Sequence, residues 1–339
     1  MYLKSLDMSD DHTVGKPQDY APFRQLAIDS SDLARLSNLR PMIVARDTIL
    51  LWLEIILAWT ICAIWTEWWI VLGAIPLIGT RIYALFIIGH DGIHRRLFYH
   101  VRANDLWNDL FILGSVGLIT RINRANHIHH HWTLGRIDDP DRYKYTHAGR
   151  ETSAMVFAKL TGLPFLIRAI ENVFKRSAQK PPVFPTNRTR GYIPRDILII
   201  FSWQFALIAG LSAMIGWWAF FVLWIIPVYV FAYTADISRV FFEHSCIEDD
   251  AVADRKMRLI TYYAPYWERV ILAPMNMNYH AAQHLWPSVP YYNLAKADHL
   301  LRTSLCRDYR LVWRRSYLVY LVTYLRSLPA RRLQAIAKS

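Results

Sequence analysis

Apolar positions along this chain gather into four long runs, at residues 48–65, 68–89, 197–215 and 217–235. Each holds about 18–22 residues, enough at 1.5 Å per residue to cross a hydrocarbon layer roughly 30 Å thick. Only Thr66 and Glu67 separate the first two runs, and almost nothing separates the last two. The pattern predicts two helical hairpins. Trp65, Trp68 and Trp69 stand at the tip of the first and Trp217 and Trp218 at the tip of the second, where an aromatic belt belongs.

Two weaker apolar stretches do not predict spans. Residues 106–120 are few and include Gly114 and Gly117, which predicts an interfacial or half-buried helix. Residues 154–174 are punctuated by Lys159, Pro164 and Arg168, which predicts an amphipathic segment lying along the membrane. Glu54 and Arg81 sit at matching depths in the first hairpin. A lone charge there costs several kcal/mol, so the two are expected to form a structural ion pair, the alternative being a role in substrate or proton handling.

Basic residues set the expected orientation. Arg35, Arg40 and Arg46 precede the first run, Arg95, Arg96, Arg102, Arg121 and Arg124 follow the second, and the hairpin tips carry none. The positive-inside rule then puts both termini and the middle segment in the cytoplasm. The expected organisation is a polar cytoplasmic tail over 1–45, without a signal-like apolar core, and the hairpins over 46–238 with a cytoplasmic segment at 90–195. A cytoplasmic C-terminal cap over 239–339 completes it.

Histidines supply the candidate chemistry, and they cluster where the apolar runs end. His90 and His94 lie four apart, His127, His130 and His131 form H-x-x-H-H, His280 and His284 flank Gln283, and His244 follows Glu243. Residues three and four apart share a helix face, so each cluster can aim its imidazoles at one point. One metal needs three or four ligands, and eight histidines exceed that. The reading is a two-metal site where membrane helices emerge into water, on the cytoplasmic side. His129 points off the ligand face and is expected in a supporting hydrogen bond or exposed, while His12, His100, His147 and His299 lie in polar contexts and are expected to be solvated. Asp91, Asp138, Asp139 and Asp141 are placed to orient imidazoles through the second ring nitrogen, or else to cap helices and pair on the surface.

Composition refines this picture. Of 339 residues, 54% are hydrophobic and 14% aromatic, yet mean hydropathy is only slightly positive, as for a multi-spanning protein with large aqueous portions. The net charge of +12 follows the flanks of apolar runs rather than a basic stripe with exposed aromatics, so no nucleic-acid partner is expected. Cys62, Cys246 and Cys306 are far apart and odd in number, which predicts no disulfide framework.

These motifs together resemble the membrane fatty acid desaturase family. His90, Asp91, Gly92, Ile93 and His94 match its first box, H-x-x-x-H, and His127 to His131 match its second, with Gly135 and Asp139, Pro140 and Asp141 downstream. The stretch from Arg239 to His244 is similar to the element ahead of the third box. Asn278, Tyr279 and His280 through His284, Leu285, Trp286 and Pro287, then Val289 to Leu294, are similar to the third box and its tail. The likeness runs from about residue 45 to 305, with boxes and hairpins in register. It implies an all-α integral membrane protein whose two hairpins carry a cytoplasmic helical cap bearing the histidine boxes. It implies two non-haem iron ions held by His90, His94, His127, His130, His131, His244, His280, Gln283 and His284. Dioxygen and two electrons would be used to desaturate a long-chain fatty acyl group linked to lipid, coenzyme A or a carrier protein. Imidazole suits iron, and a dry pocket suits such an oxidant. One position departs from the family: Gln283 stands where a histidine is usual. Its amide oxygen is a weaker donor than imidazole, expected to bind one metal directly or through a water, and an acyl hydroxylase is the alternative reaction.

Two other classes fit less well. A zinc-dependent membrane lipid hydrolase needs only three or four ligands and an open water position. A channel or transporter would line the membrane interior with its ionisable groups, whereas here they cluster outside it. No haem motif of a fused b-type cytochrome and no iron–sulfur cysteine set occurs, so the electron donor is expected to be a separate ferredoxin or a b-type cytochrome with its reductase. The basic face suits an acidic partner or anionic lipids.

Overall fold

The computed structural model describes residues 28–146, 151–165, 167, 191–247, 258–304 and 312–337. Within them lie thirteen α-helices of the following order and one small sheet. Helix α1 is Ser30–Leu36, α2 Pro41–Ile64, α3 Trp68–Ile93, α4 Val101–Asn108, α5 Thr120–Thr133, α6 Arg142–Tyr145 and α7 Ser153–Leu160. Then come α8 Pro194–Met214 and α9 Phe221–His244. The C-terminal part holds β1 Ile260–Tyr262, α10 Tyr266–Leu272, α11 His280–Leu285, α12 Leu294–Ser304, β2 Val312–Arg314 and α13 Tyr317–Ala337. The expected His12 and His147 lie outside the described residues, as does the later half of the amphipathic segment at 154–174; its described part is α7 and a few residues beyond.

Four helices, α2, α3, α8 and α9, are long and apolar enough to span a membrane. They match the four apolar runs, each extending past its run at the end away from the hairpin tip. Helix α2 begins at Pro41, whose fixed φ suits the first helical turn, and α3 continues four residues past the apolar run so that His90 is still helical. Helix α3 sits between α2 and α9. Gly79 permits the second contact, since a Cβ there would lie 2.4 Å from Phe231 Cβ. Arg81 Nε meets Glu54 Oε2 at 2.7 Å, the ion pair expected between α2 and α3.

Helix α9 is not regular. Its backbone is π-helical over Phe221–Ile225 and Pro227–Tyr233 before it closes into α-helix. Pro227 has no N–H and its ring crowds the carbonyl four residues earlier, so α-helical hydrogen bonding cannot continue there. That carbonyl, of Leu223, instead accepts the Trp59 indole N–H at 3.2 Å. Residues 106–120 do not span. Helix α4 gives way to a π turn at Asp109–Leu113 and a 3-10 turn at Gly114–Val116. Its loosened carbonyls find indole donors, Trp203 Nε1 to Leu110 O at 2.6 Å and Trp52 Nε1 to Phe111 O at 2.8 Å. Irregular backbone among apolar helices needs such partners.

The C-terminal part closes over the ends of the spans. Strands β1 and β2 pair in parallel, Ile260 opposite Val312, an element absent from the all-helical expectation but only three residues long. Buried Glu268 of α10 accepts from Tyr317 N at 2.7 Å and Ser316 Oγ at 2.6 Å, so it caps α13. Asp91 Oδ2 accepts from Tyr291 N at 2.6 Å and ties the end of α3 to the segment after α11.

Candidate metal centre

Four helix ends converge to build the site. The end of α3 supplies His90 and His94, the last residue of α9 is His244, and α11 supplies His280, Gln283 and His284. Helix α5 supplies His127, His130 and His131 from its C-terminal half. Where α3 ends, its unpaired carbonyls need donors. Asn108 Nδ2 reaches Gly89 O at 3.0 Å, Asn104 Nδ2 reaches Gly92 O at 2.8 Å, and Arg124 Nε reaches Ile93 O at 2.7 Å. Gly92 in the first box has a steric reason: a Cβ there would lie 2.3 Å from Asn108 Nδ2.

The eight histidines fall into two groups. Ring nitrogens of His90, His94, His127 and His131 lie within 4.8 Å of one another, and those of His130, His244 and His284 do likewise. His280 joins the second group, its Nε2 3.1 Å from His244 Nε2. Within the groups, Nε2 atoms face each other at 3.0 Å for His94 and His127, 2.9 Å for His127 and His131, and 3.2 Å for His130 and His244. The groups share a wall, where the His131 and His284 rings stack at 3.9 Å. Gln283 lies against the first group, its side-chain nitrogen 3.0 Å from His94 Nε2 and 3.5 Å from His131 Nε2. Its oxygen is buried without a partner. Amide nitrogen and oxygen exchange places by a simple flip, so an oxygen can occupy the atom position aimed at these imidazoles.

These residues fit metal ions. Both ring nitrogens of His90 and of His284 are buried with no hydrogen-bond partner, while the Nε2 atoms of His94, His127, His130, His131, His244 and His280 meet one another or the Gln283 amide, and buried nitrogens left in that state call for an explanation such as an ion. Burial foremost, then neighbouring charges, holds His94, His127, His131, His280 and His284 well below the ordinary histidine pKa. Neutral rings keep the lone pair that a metal requires. Burial pulls His130 down too, but Asp139 outweighs it and leaves the pKa raised. A cation at Nε2 would take the place of that extra proton.

A second layer orients the rings. His130 Nδ1 lies 2.9 Å from Asp139 Oδ1, which leaves Nε2 for the site. Fully buried Asp139 also accepts from the Tyr145 hydroxyl and from Asp141 N at 2.8 Å. His244 Nδ1 lies 2.8 Å from Arg258 O, and His280 Nδ1 lies 3.3 Å from Glu243 Oε2. Glu243 is in turn paired with Arg239, which donates to Tyr83 OH at 2.8 Å and Asp236 at 3.0 Å. Such partners fix tautomer and ring angle. Of the other aspartates, Asp91 Oδ1 is 3.9 Å from His90 Nδ1 and bonds elsewhere, Asp138 pairs with Arg136, and Asp141 pairs with Lys144. His129 is buried, with Nε2 3.0 Å from Asp138 O and outside both groups. His100 and His299 are exposed. Tyr145 and the Arg258 carbonyl escaped sequence reasoning, and neither carries a spacing signal.

The model of a family described as fatty acid desaturase matches residues 66–317, a stretch that includes the eight histidines of the two groups and Gln283. No curated protein matches the chain.

Proposed function

The chain belongs to the fatty acid desaturase family, and from that premise we propose that it is a membrane-bound di-iron oxidase acting on a long-chain fatty acyl group. Two hydrogens leave adjacent methylenes as dioxygen, two electrons and two protons are consumed, giving a carbon–carbon double bond and two waters. Family membership makes it an oxidoreductase with a lipid substrate in a membrane context. The observation that supports two metals is the division of eight buried or half-buried histidines into two sets of four. Bound iron would supply the one-electron chemistry and dioxygen activation that no side chain can.

The chain's own residues hold and shield. His90, His94, His127 and His131, with Gln283, would hold one ion, and His130, His244, His280 and His284 the other. Asp139 and the Arg258 carbonyl keep protons on the outer nitrogens of His130 and His244, and Glu243 stands 3.3 Å from that of His280. Burial of these rings excludes the water that would quench an oxidant. We place the metal centre, both termini and the segment 90–195 in the cytoplasm, supported by the basic residues that flank only that side. The domain limits 1–45, 46–238 and 239–339 follow from the same reading. The electrons would come from a separate ferredoxin or b-type cytochrome.

Gln283 favours one second reading, an acyl hydroxylase, because a weaker donor on one ion alters the oxidant without altering the scaffold. A zinc hydrolase leaves the second set of histidines unused. Expression in a host lacking the activity, with mass spectrometry of lipids and acyl conjugates, tests the reaction, and metal analysis of the purified protein tests the centre. Two irons per chain and a new double bond are expected. A single zinc with no oxidised acyl product would overturn the proposal.

A further inference from the structure

We infer that α10 and the first turns of α13 form a foot embedded in the interfacial layer of the bilayer, so the C-terminal part is seated in lipid as well as capping the spans. The first observation is depth. The Tyr83 hydroxyl donates to Leu272 O, at the end of α10, at 3.2 Å. Tyr83 lies six residues inside the apolar run that ends at Gly89, roughly 9 Å along a helix at 1.5 Å per residue. Helix α10 therefore lies beside the spans at the level of their apolar ends. It packs on the last turns of α9, and α13 does so as well, with the Phe241 and Tyr324 rings 4.9 Å apart.

The second observation is what these elements leave uncovered. Glu268 of α10 points inward to cap α13, which turns Tyr266 and Trp267 outward at 76% and 55% exposure. Ile271 follows one turn later on the same side. Beside the cap, Leu318 and Val319 are 54% and 65% exposed, and Val322 continues the face one turn on. An outward face of this make-up is rare on a surface meeting water. Tyrosine and tryptophan suit the headgroup level, aliphatic side chains the acyl level just below.

Charge points to the same occupant. Exposed Arg315 and Arg326 flank the face, the Arg269 guanidinium lies 6.0 Å over the Tyr266 ring, and residues 312–337 contain no acidic side chain. Cations beside an apolar face favour anionic headgroups.

Nitroxide labels test the foot. Trp267→Cys, Ile271→Cys and Val319→Cys are made one at a time with Cys306→Ser, Cys62 and Cys246 being buried. Each is reconstituted in vesicles of phosphatidylcholine and phosphatidylglycerol. Leu53→Cys, on the outer side of α2, serves as the lipid reference and exposed Lys296→Cys as the water reference. The foot positions should be relaxed severalfold more by oxygen than by a water-soluble nickel chelate, as Leu53→Cys is. Relaxation by the chelate equal to that at Lys296→Cys would overturn the inference. So would protection from both agents, which would mean cover by protein such as a second copy of the chain. The unsubstituted protein gives an independent reading with a photoactivatable phospholipid: adducts are expected within 266–272 and 317–322. Adducts on the spans but on neither of these segments would also overturn it.

Discussion

Replacing Gln283 by leucine should weaken one metal site while leaving the metal-free fold almost untouched. The side chain makes two contacts, to His94 Nε2 at 3.0 Å and His131 Nε2 at 3.5 Å, and leaves its oxygen buried and unpaired. Losing two hydrogen bonds costs about 1–3 kcal/mol, and removing the unpaired oxygen returns about 1–3 kcal/mol. The two nearly cancel, since leucine fills a similar volume. With metal the balance differs, because the flipped oxygen is then a donor that leucine lacks. Loss of even a supporting partner weakens metal binding about 10–100-fold, so a direct donor should cost at least that. At fixed free iron this removes about 1.4–2.7 kcal/mol of metal-dependent stabilisation. Thermal unfolding with and without iron, beside iron titration of wild type, Gln283→Leu and Gln283→His, makes the comparison. Leucine should narrow the gap between the iron-loaded and metal-free midpoints, and histidine should keep or widen it. Equal iron affinity in wild type and Gln283→Leu would refute the role given to this amide.

Asp139→Asn should weaken iron at the second set of histidines by about 10–100-fold, while Asp138→Asn, whose partner is Arg136 on the surface, should leave the iron titration unchanged. Five histidines, His94, His127, His131, His280 and His284, have folded pKa values held well below 6.5 chiefly by burial. Below pH 6.5 the unfolded chain therefore binds more protons, and metal-free stability should fall with falling pH by about 1.4 kcal/mol per pH unit for each. His130, with its raised value, acts in the opposite sense. A denaturation series from pH 7 to 5 reads the sum, and a flat profile would contradict the burial of these rings as neutral groups. Arg81→Leu alone should destabilise the protein in detergent by stranding Glu54, and the double change Glu54→Leu with Arg81→Leu should recover most of that loss; no recovery would mean the pair is not coupled.

Much of this arrangement is written locally. Four apolar runs mark the spans, and i, i+3 and i+4 spacings mark the histidine faces, because both depend only on helix geometry. The division of His127 and His131 from their neighbour His130 is not local, since it depends on α5 lying between α3 on one side and α9 with α11 on the other. Asp139 reaches back to His130 only because the chain reverses at Gly135, whose φ is +78°, and four aspartates had equal sequence claims. Arg258 contributes a carbonyl, which every residue has. The β1–β2 pairing joins three-residue strands some fifty positions apart, too short and too distant to leave a pattern. The irregular stretch of α9 is not legible in the apolar run at 217–235, since it turns on Pro227 and on an indole from another helix that takes up Leu223 O.

Helix α5 sends adjacent residues, His130 and His131, to different sets of ligands. Backbone hydrogen bonds fix one residue's offset from the next at a 1.5 Å rise and 100° of rotation, so the spacing between the two sets is inherited from the pitch of a single helix. No loop or hinge intervenes that could tune it. One inserted or deleted residue between Thr120 and His127 leaves the box intact, but the same change between His127 and His131 swings both sets out of register together. Change over evolutionary time at this centre is thereby confined to swapping one donor for another in place, which is the kind of difference Gln283 represents.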